Sequence, residues 1–470
     1  MTLRIALMVS LLLPRLAGAQ EPTLPLDSLR AAVAAHHPVA RHAQELVRQA
    51  DGAVLSATGA MFDPQLSVGW ERKAFGDREY YNYLDAALKV PTPLGIDIKL
   101  GLEKTSGQYF APDRRTPPSG LLSLGLSMPI GQGIVTDRRR AELGAARAKR
   151  DGAAAARDEL LNALLLEATS AWAEWYRAER LLAVAREGVA LAEMRRGGIV
   201  ARVARGDLAA IDTIEVRLEV VRRAATLALA EADAIAARAR VATYLWDADG
   251  RPQSLDDRVL PGDMVHAALP DSAWLARELP RALRDHPKVR KAEGDLGAAA
   301  AGRRQAVAEL LPDLEGEVAR LAERDGVVAL SDFPSGAGNY KFGVRASTGL
   351  LLMKERGKAG EASAKGRIAE LVLADLRRDI AAEAVAAAAA AQGAARAAGW
   401  QGEAVALARR LLDAEQRRFD AGESSLFLVN QRERGLLYET TKLADAEVKR
   451  IASTAKLATA LGYPARLPEP

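Results

Sequence analysis

Two long tracts without proline dominate the pattern of the chain. Residues 130–251 and residues 335–463 contain none of its 21 prolines. Because proline breaks helix interiors, long helices can form in these tracts. One helix over residues 132–205 would be about 110 Å long at roughly 1.5 Å per residue. Helices of globular proteins average about 11–12 residues, so this length indicates a coiled-coil rod or a helical tunnel.

Apolar residues within these tracts recur at alternating spacings of three and four, which is a heptad pattern. One seam consists of Ile211, Ile214, Leu218, Val221, Ala225, Ala228, Ala232, Ile235, Ala239, Ala242 and Trp246. A second consists of Leu437, Thr441, Ala444, Val448, Ile451, Ala455 and Ala458. Many of these positions are alanine, the best helix former. A coiled-coil rod and the core of a helical bundle both fit the seams.

Two other windows, residues 64–130 and 312–352, alternate between apolar and polar residues. The clearest runs are Leu66 to Trp70, Ile96 to Leu102, Leu122 to Met128 and Phe342 to Ser347. A period of two predicts half-buried strands. Together with the aromatic residues in the same windows, it is typical of a membrane β-barrel. A water-exposed sheet is the alternative interpretation.

The first of these windows is unusually long. It holds up to four candidate strands, and a turn at residues 91–95 would join an additional hairpin. Two interpretations fit that count: a larger barrel, or an extension beyond the membrane surface.

The two halves of the chain repeat one order of features. His36-His37-Pro38 is matched by His286-Pro287, and each opens a helical segment. Gly206 and Gly422 each open a helix of the same length, 216 residues apart. Each half therefore contains a helix, strands, a long helix, a turn and another long helix. Such internal repeats define the fold of a chain.

The composition of the chain excludes several kinds of functional site. The 470 residues carry a formal net charge of only +4, which does not call for a nucleic-acid partner, and the chain has no cysteine. Disulfides, thiolate metal sites and a cysteine nucleophile are therefore excluded.

Residues 1–19 have the charge, apolar run and small-residue end of a signal peptide, so we expect the mature chain to begin near Gln20. No later stretch has about 18 consecutive apolar residues, so no transmembrane helix is expected.

Candidate chemical groups are few. His36, His37 and His42 lie close in sequence, but they have no cysteine or paired acidic residues nearby, and a structural role is favoured over a metal site. The Gly131-Gln132-Gly133 segment lacks the lysine of a phosphate-binding loop. We expect no catalytic residues, no cofactor and no metal, so the chain is not predicted to be an enzyme.

The ordered set of motifs resembles the TolC family of outer-membrane efflux proteins over essentially the whole mature chain. The residues that carry the resemblance are Leu126-Ser127-Met128-Pro129-Ile130, the arginines Arg138 to Arg140, Arg205-Gly206-Asp207-Leu208, Asp212, and Phe419-Asp420-Ala421-Gly422-Glu423. The resemblance rests on the order of these motifs and on its repetition in the two halves of the chain.

The resemblance implies an α+β fold: duplicated long-helix coiled-coil hairpins forming a periplasmic α-barrel, and antiparallel transmembrane β-barrel strands, assembled as a homotrimer. It divides the chain into the signal peptide at 1–19, a first repeat at 20–251 and a second repeat at 252–470. Strands are expected at about 64–130 and 312–352. Long helices are expected at about 132–247 and 353–461.

The resemblance also implies the functional residues. A periplasmic adaptor protein and an inner-membrane pump would dock at the hairpin turns, formed by Arg205, Gly206, Asp207, Ala421, Gly422 and Glu423. Candidate residues lining the closed aperture are Asp212, Glu215, Leu428 and Gln431. Leu428 stands where one branch of the family has a constricting aspartate, so Glu423, Asp212 and Glu215 are the alternatives for negative charge. The barrel would contact outer-membrane lipid.

Two functions remain open. The leading hypothesis is an outer-membrane channel subunit of a tripartite efflux or type I secretion system, a passive exit duct for small molecules, metals or proteins. The alternative is a periplasmic adaptor or other coiled-coil structural protein of the envelope. An adaptor would have one helical hairpin beside a small β-domain, whereas this chain has its helix-strand-helix unit twice.

Overall fold

A computed structural model describes residues 22–131, 136–263, 271–324 and 338–467. The predicted signal peptide at 1–19 and the Gln132-Gly133 pair lie outside the described residues. The chain forms two compact units. Unit 1 comprises Met1–Pro38, Leu165–Leu269 and Ala390–Ala455, and unit 2 comprises Val39–Leu164, Pro270–Ala389 and Lys456–Pro470. Each unit therefore takes segments from both sequence repeats.

The predicted long helices are present. The helices are α1 Leu26–His36, α2 Pro38–Phe62, α3 Arg138–Ala204, α4 Ala210–Ala242, α5 Ser272–Asp285, α6 Pro287–Ala308, α7 Met353–Asp420 and α8 Leu426–Ala460. Helices α3 and α7 have 67 and 68 residues, and both lie within the proline-free tracts. None of the helices in the described ranges has the length and apolar composition needed to cross a membrane.

The strands are β1 Thr23–Leu24, β2 Gln65–Phe75, β3 Arg78–Pro91, β4 Asp97–Ser106, β5 Leu121–Pro129, β6 Leu260–Pro261, β7 Asp313–Glu323 and β8 Tyr340–Ser347. In unit 1, β1 and β6 form a short parallel pair. In unit 2, six antiparallel strands form one sheet in the order β2-β3-β4-β5-β7-β8. The first sequence window thus supplies four strands and the second supplies two, and β5 pairs with β7 to join them.

The register of the sheet places apolar and polar residues on opposite faces. Ile98 lies opposite Leu126, and Leu126 lies opposite Val318. The next residues along each strand point to the other face, where Lys99 approaches Glu317 at 3.4 Å and Ser127 donates to Glu315 at 2.6 Å. Much of the apolar face is exposed in the single chain, with Val68 64% and Phe342 67% exposed, whereas Leu122 on the same face is buried.

Close backbone packing joins α6 to α3 within unit 2. A Cβ atom at Gly294 would lie 2.7 Å from the carbonyl oxygen of Ala148 and 2.9 Å from the Cα atom of Gly152. A side chain is thus excluded at this crossing, which explains the glycine. An apolar cluster of Val289, Leu373 and Ile380 packs α6 against α7 nearby.

The core of unit 1 is built on two tryptophans of α3. Trp172 and Trp175 are fully buried. The Trp172 indole nitrogen donates to the carbonyl oxygen of Leu24 at 2.9 Å, and Arg30 donates to the hydroxyl of Thr169 at 3.0 Å. These bonds hold the N-terminal segment and α1 against the long helix.

The histidines have packing and capping contacts. His37 stacks on Tyr244 with ring centroids 5.9 Å apart, and burial lowers its pKa. In unit 2, His286 accepts a hydrogen bond from the backbone N–H of Lys288 at 3.1 Å and so caps α6. Its other ring nitrogen lies 3.3 Å from the carbonyl oxygen of Thr459, and burial is the main reason that its pKa is lowered. These contacts support the structural role predicted for the matched His-Pro motifs.

Helix α4 carries two apolar stripes rather than one. The heptad seam identified in the sequence, from Ile211 to Ala239, is exposed along its length. The face that packs on the chain's own helices instead contains Val216, Glu219, Arg223, Ala234 and Val241. The spacing alone does not decide which stripe faces the interior, because both have a period near 3.5 residues.

Candidate functional site at the two helix turns

The turns after α3 and α7 have the same hydrogen-bonded conformation. At the first, the N–H of Gly206 donates to Val203 at 2.9 Å and that of Asp207 donates to Arg202 at 3.0 Å. At the second, the N–H of Gly422 donates to Phe419 at 3.0 Å, and Glu423 donates to Arg418 at 2.8 Å. This pair of bonds, spanning three and five residues, is a Schellman motif, which ends a helix at a left-handed residue.

The left-handed residue of each turn is the predicted glycine. Gly206 has φ +83° and Gly422 has φ +78°. Apart from each glycine and its immediate chain neighbours, no atom of the described residues lies within 4 Å of the position that a Cβ would occupy at either glycine. The glycines are therefore required by backbone conformation, since other L-residues rarely adopt positive φ. The space beside them is open to a partner.

The first turn has an exposed pair of opposite charges. The guanidinium of Arg205 lies 3.1 Å from the carboxylate of Asp207. Asp212 accepts a hydrogen bond from the backbone N–H of Ala209 at 3.2 Å and so satisfies a free donor at the start of α4. The turn thus presents two charged side chains to solvent, while Asp212 has a capping contact.

The second turn is supported by Glu415 of α7. The Ser424 hydroxyl donates to its carboxylate at 2.5 Å, and the guanidinium of Arg432 lies 3.7 Å away. The Ser424 hydrogen bond, with Arg418 and Arg432 nearby, holds the pKa of Glu415 below its ordinary value. Ala421, Gly422 and Glu423 are exposed.

One apolar cluster brings the two turns to the same end of unit 1. It contains Ile199 of α3, Val216 of α4, Phe419 of α7, and Leu426 and Val429 of α8. Because all four long helices contribute, the turns are held side by side by packing. The sequence predicted the turns singly, and their proximity is a product of tertiary structure.

The other predicted residues lie in the first two turns of α4 and α8. Asp212, Glu215 and Leu428 are half-buried in the single chain, and Gln431 is exposed. Their lining of an aperture stays a prediction.

A buried charged network close to the turns was missed by the sequence interpretation. Glu433 of α8 accepts from Arg195 of α3 at 2.5 Å and pairs with Arg223 of α4 through its other oxygen. Arg223 also donates to Glu219 at 3.1 Å and to the carbonyl oxygen of Gly188 at 3.0 Å. Five groups on three helices are therefore joined where a coiled coil would ordinarily have apolar contacts.

A third arginine and an amide extend this network. Arg434 lies 3.2 Å from Glu219, and Arg195 also donates to the amide oxygen of Asn430 at 3.2 Å. The signal for the network was present in the sequence. Glu219 and Arg223 lie in the inward stripe of α4 between Val216 and the apolar positions that follow, so charged residues interrupt an otherwise apolar spacing.

The described residues contain no cluster of three or more His, Asp or Glu side chains that could hold a metal ion.

Comparison with known proteins identifies the second half of the chain. Residues 279–463 match the family model described as outer membrane efflux protein. No curated protein matches the sequence.

Three solved channels illustrate the likeness of the fold. The outer-membrane channel OprN has 18% identity and a TM-score of 0.65, with 93% of this chain and 89% of that chain covered. The outer membrane protein VceC of Vibrio cholerae has 16% identity and a TM-score of 0.65, with 93% and 96% covered. The MtrE outer membrane channel of Neisseria gonorrhoeae, in its open state, has 16% identity and a TM-score of 0.64, with 94% and 89% covered.

These findings confirm the resemblance drawn from the doubled motifs, and together they indicate an outer-membrane location with a periplasmic helical extension. Residues 279–463 carry an outer membrane efflux protein domain, and the chain as a whole has the fold of the outer-membrane efflux channels.

Proposed function

We propose that this chain is the outer-membrane subunit of a tripartite efflux or type I secretion system, and that it is a passive duct that performs no chemistry. Three copies would share one barrel, through which small molecules, metals or proteins leave the cell. The observation that carries this proposal is the six-stranded sheet of unit 2, whose exposed face is apolar and whose outermost strands are β2 and β8.

The two faces of the sheet suit two different surroundings. The apolar face, with Val68, Trp70 and Phe342 strongly exposed, matches the hydrocarbon of a membrane. The opposite face carries ion pairs, such as Lys99 with Glu317, and charged side chains of this kind suit an aqueous lumen. Edge strands in lipid must have their backbone groups paired, and pairing β8 of one copy with β2 of the next supplies those bonds.

Docking of a periplasmic adaptor and an inner-membrane pump is assigned to the two Schellman turns. Both turns are exposed, lie at one end of unit 1 and leave open space beside their glycines. The exposed charges of Arg205, Asp207 and Glu423 would set the preference for a partner.

Fractionation of a Gram-negative host that expresses the full chain tests the channel. We expect the protein in the detergent-extracted outer membrane, as a trimer that dissociates on heating. Loss of the chain should reduce tolerance to an exported compound or stop secretion of an exported protein. Recovery in the soluble periplasm as a monomer would reject the proposal and favour the periplasmic structural alternative.

Aspartate and asparagine have the same shape and differ in charge. Substituting each of them at both glycines therefore separates the effect of docking from the effect of backbone strain. Asparagine and aspartate both tolerate positive φ better than other residues. Gly206→Asp and Gly422→Asp should therefore impair export more than Gly206→Asn and Gly422→Asn, with the trimer retained in all four. Equal export by the aspartate and asparagine variants would argue against docking at the turns.

A further inference from the structure

The hairpin formed by β2 and β3, here called the N-terminal hairpin, shares the apolar face of the strands that follow it. One row of paired residues crosses β3, β4, β5, β7 and β8 and consists of Val90, Ile98, Leu126, Val318 and Phe342. The adjacent row on the same face crosses β2, β3, β4 and β5 and consists of Leu66, Leu88, Leu100 and Leu124. The apolar surface is therefore continuous from β2 to β8, and the N-terminal hairpin needs the same surroundings as the other strands.

The N-terminal hairpin also extends over the full height of the sheet. Strand β3 pairs with β4 along the whole length of β4, from Asp97 to Ser106. An extension beyond the membrane surface would pair only with the outer end of β4. The pairing thus favours the larger barrel over the extension, the two interpretations that fit the strand count.

The turn between β3 and β4 lies at the end of the sheet where the helices begin. Gly95 in this turn has φ +78°, and a Cβ there would lie 3.1 Å from the carboxylate of Asp137, which directly precedes α3. The turn between β2 and β3, at Gly76 and Asp77, lies at the opposite end of the strands. The N-terminal hairpin therefore crosses the wall from one end to the other.

The apolar band ends at one level on the first three strands of the sheet. Asn82 of β3 is paired with Arg72 of β2 and with Ser106 of β4, so this row is polar. The indole nitrogen of Trp70 donates to the amide oxygen of Asn82 at 2.8 Å. Tryptophan with its polar edge toward water is typical of a membrane interface. The N-terminal hairpin thus has both an apolar band and a polar rim.

Short side chains cover the opposite face of the sheet between the two apolar rows. The row there consists of Ser67, Ala87, Gly101 and Ser123, paired across β2, β3, β4 and β5. A Cβ at Gly101 would lie 2.5 Å from the hydroxyl of Ser123. The face that would line the lumen is thus smooth at this level, and its side chains would narrow the lumen little.

We propose that the N-terminal hairpin is part of the membrane-spanning wall, so that three copies close an eighteen-stranded barrel that admits hydrophilic cargo with the cross-section of a helical hairpin. This inference rests on the proposed three-copy channel and on the six strands of each copy. With strands about 4.8 Å apart and tilted by about 40°, eighteen strands give a backbone diameter of about 36 Å, whereas twelve strands without the hairpin give about 24 Å. Two helices side by side are about 20–24 Å wide, so they fit only in the wider barrel once the side chains of the wall are included.

Quenching by lipid tests whether the N-terminal hairpin lies in the membrane. The natural chain has no cysteine, so Leu88→Cys, labelled with bimane, reports on one site of β3. In trimers reconstituted into lipid with brominated acyl chains, this label should lose most of its fluorescence, as should the reference Leu100→Cys on β4. The matched control, Ala87→Cys on the opposite face, should keep its fluorescence.

The outcomes of this experiment separate the two proposals. Quenching of Leu100→Cys without quenching of Leu88→Cys would place the N-terminal hairpin outside the lipid and would overturn the inference, with the channel proposal left standing. Absence of quenching at both positions would show that the sheet does not contact lipid, and the proposed channel would then fail as well.

Distances between spin labels measure the width of the barrel. One label on Leu124→Cys in each copy gives three equivalent sites, whose backbones are about 31 Å apart in an eighteen-stranded ring and about 21 Å apart in a twelve-stranded ring. The control is a chain without residues 65–96, which joins Pro64 to Asp97. Strands β2 and β4 both begin at the helical end, so this deletion retains the topology. The full chain should give the distance about 10 Å longer, and a distance that fits twelve strands would overturn the inference whether or not the deleted chain assembles.

Access to a thiol on the lumen face tests the class of cargo. Ser123→Cys on whole cells should react with a small membrane-impermeant maleimide and also with a maleimide attached to a folded helical-hairpin peptide. Reaction with the small reagent alone would overturn the cargo class and leave the strand count standing. Reaction with neither would show that this face does not line an open lumen, which contradicts the proposed duct.

Discussion

Arg223 of α4 and Glu433 of α8 form an ion pair in which the side chains are only 7% and 3% exposed. Arg195 of α3 shares the same carboxylate from the other side. Burying charges is costly unless each is paired, so this network constrains how three helices meet just above the turns.

Neutralising the shared carboxylate should destabilise unit 1 strongly. Glu433→Gln leaves Arg195 and Arg223 without their common anion, and breaking such a buried pair costs roughly 3 kcal/mol. The free energy of unfolding, measured by denaturant titration of the purified protein in detergent, should fall by about that amount. Asp413→Asn, on an exposed position of α7, is the control and should change it by under about 0.5 kcal/mol. Similar values for the two variants would show that the network contributes little.

Replacing the turn glycines should weaken the protein through the backbone. Gly206→Ala forces a Cβ into positive φ and should lower the free energy of unfolding by about 1 kcal/mol. Gly197→Ala, at an exposed and open position within α3, should raise it by about 0.5–1 kcal/mol because alanine favours helix. Thermal unfolding followed by circular dichroism measures both, and a shift of the same sign in the two variants would refute the explanation.

The stability of unit 2 should fall at high pH, because ionisation of Tyr463 removes a stabilising contact. Burial, together with its 2.7 Å hydrogen bond to Glu278, raises the pKa of Tyr463 to about 12. The folded-state pKa of Tyr463 therefore lies above its ordinary value near 10. The neutral hydroxyl contributes its full stabilisation below about pH 10, and that contribution is lost as the pH rises toward 12. Tyr463→Phe should therefore flatten the fall in stability between about pH 10 and 12.

Absorbance at 295 nm reports the ionisation directly. The difference titration of the natural chain against Tyr463→Phe should show one tyrosine that ionises well above the others. A midpoint near 10 for that difference would contradict the assigned environment.

Charge on the two faces of β2 should have unequal effects on membrane assembly. Val68→Arg places a cation on the apolar face, where arginine in a membrane barrel costs about 2–4 kcal/mol near the bilayer centre. Ser67→Arg places the same group on the opposite face, because neighbouring strand residues alternate. The fraction of heat-dissociable trimer in the outer membrane should fall for Val68→Arg and change little for Ser67→Arg. A larger loss of trimer for Ser67→Arg than for Val68→Arg would show that the apolar face does not contact lipid.

Much of the fold could be predicted from local patterns. The proline-free tracts indicated where α3 and α7 form, and the period of two indicated up to four candidate strands before the first long helix. Gly206 and Gly422 were identified as turn residues because a left-handed position is a property of a few adjacent residues. The charged network around Glu433 escaped prediction, since Arg195, Arg223 and Glu433 are distant in sequence and meet only when three helices pack.

The sequence by itself determined the length of the helices, the strand periodicity, the two glycine turns and the duplication, because each depends on residues within a few turns or strand positions of one another. Only the tertiary structure decided which stripe of α4 faces the chain's own core and which faces outward, since both stripes have the same spacing. It also decided that β5 pairs with β7 and that the two turns share one apolar cluster. Those relationships depend on contacts between residues far apart in the chain, where local spacing carries no information about the partner.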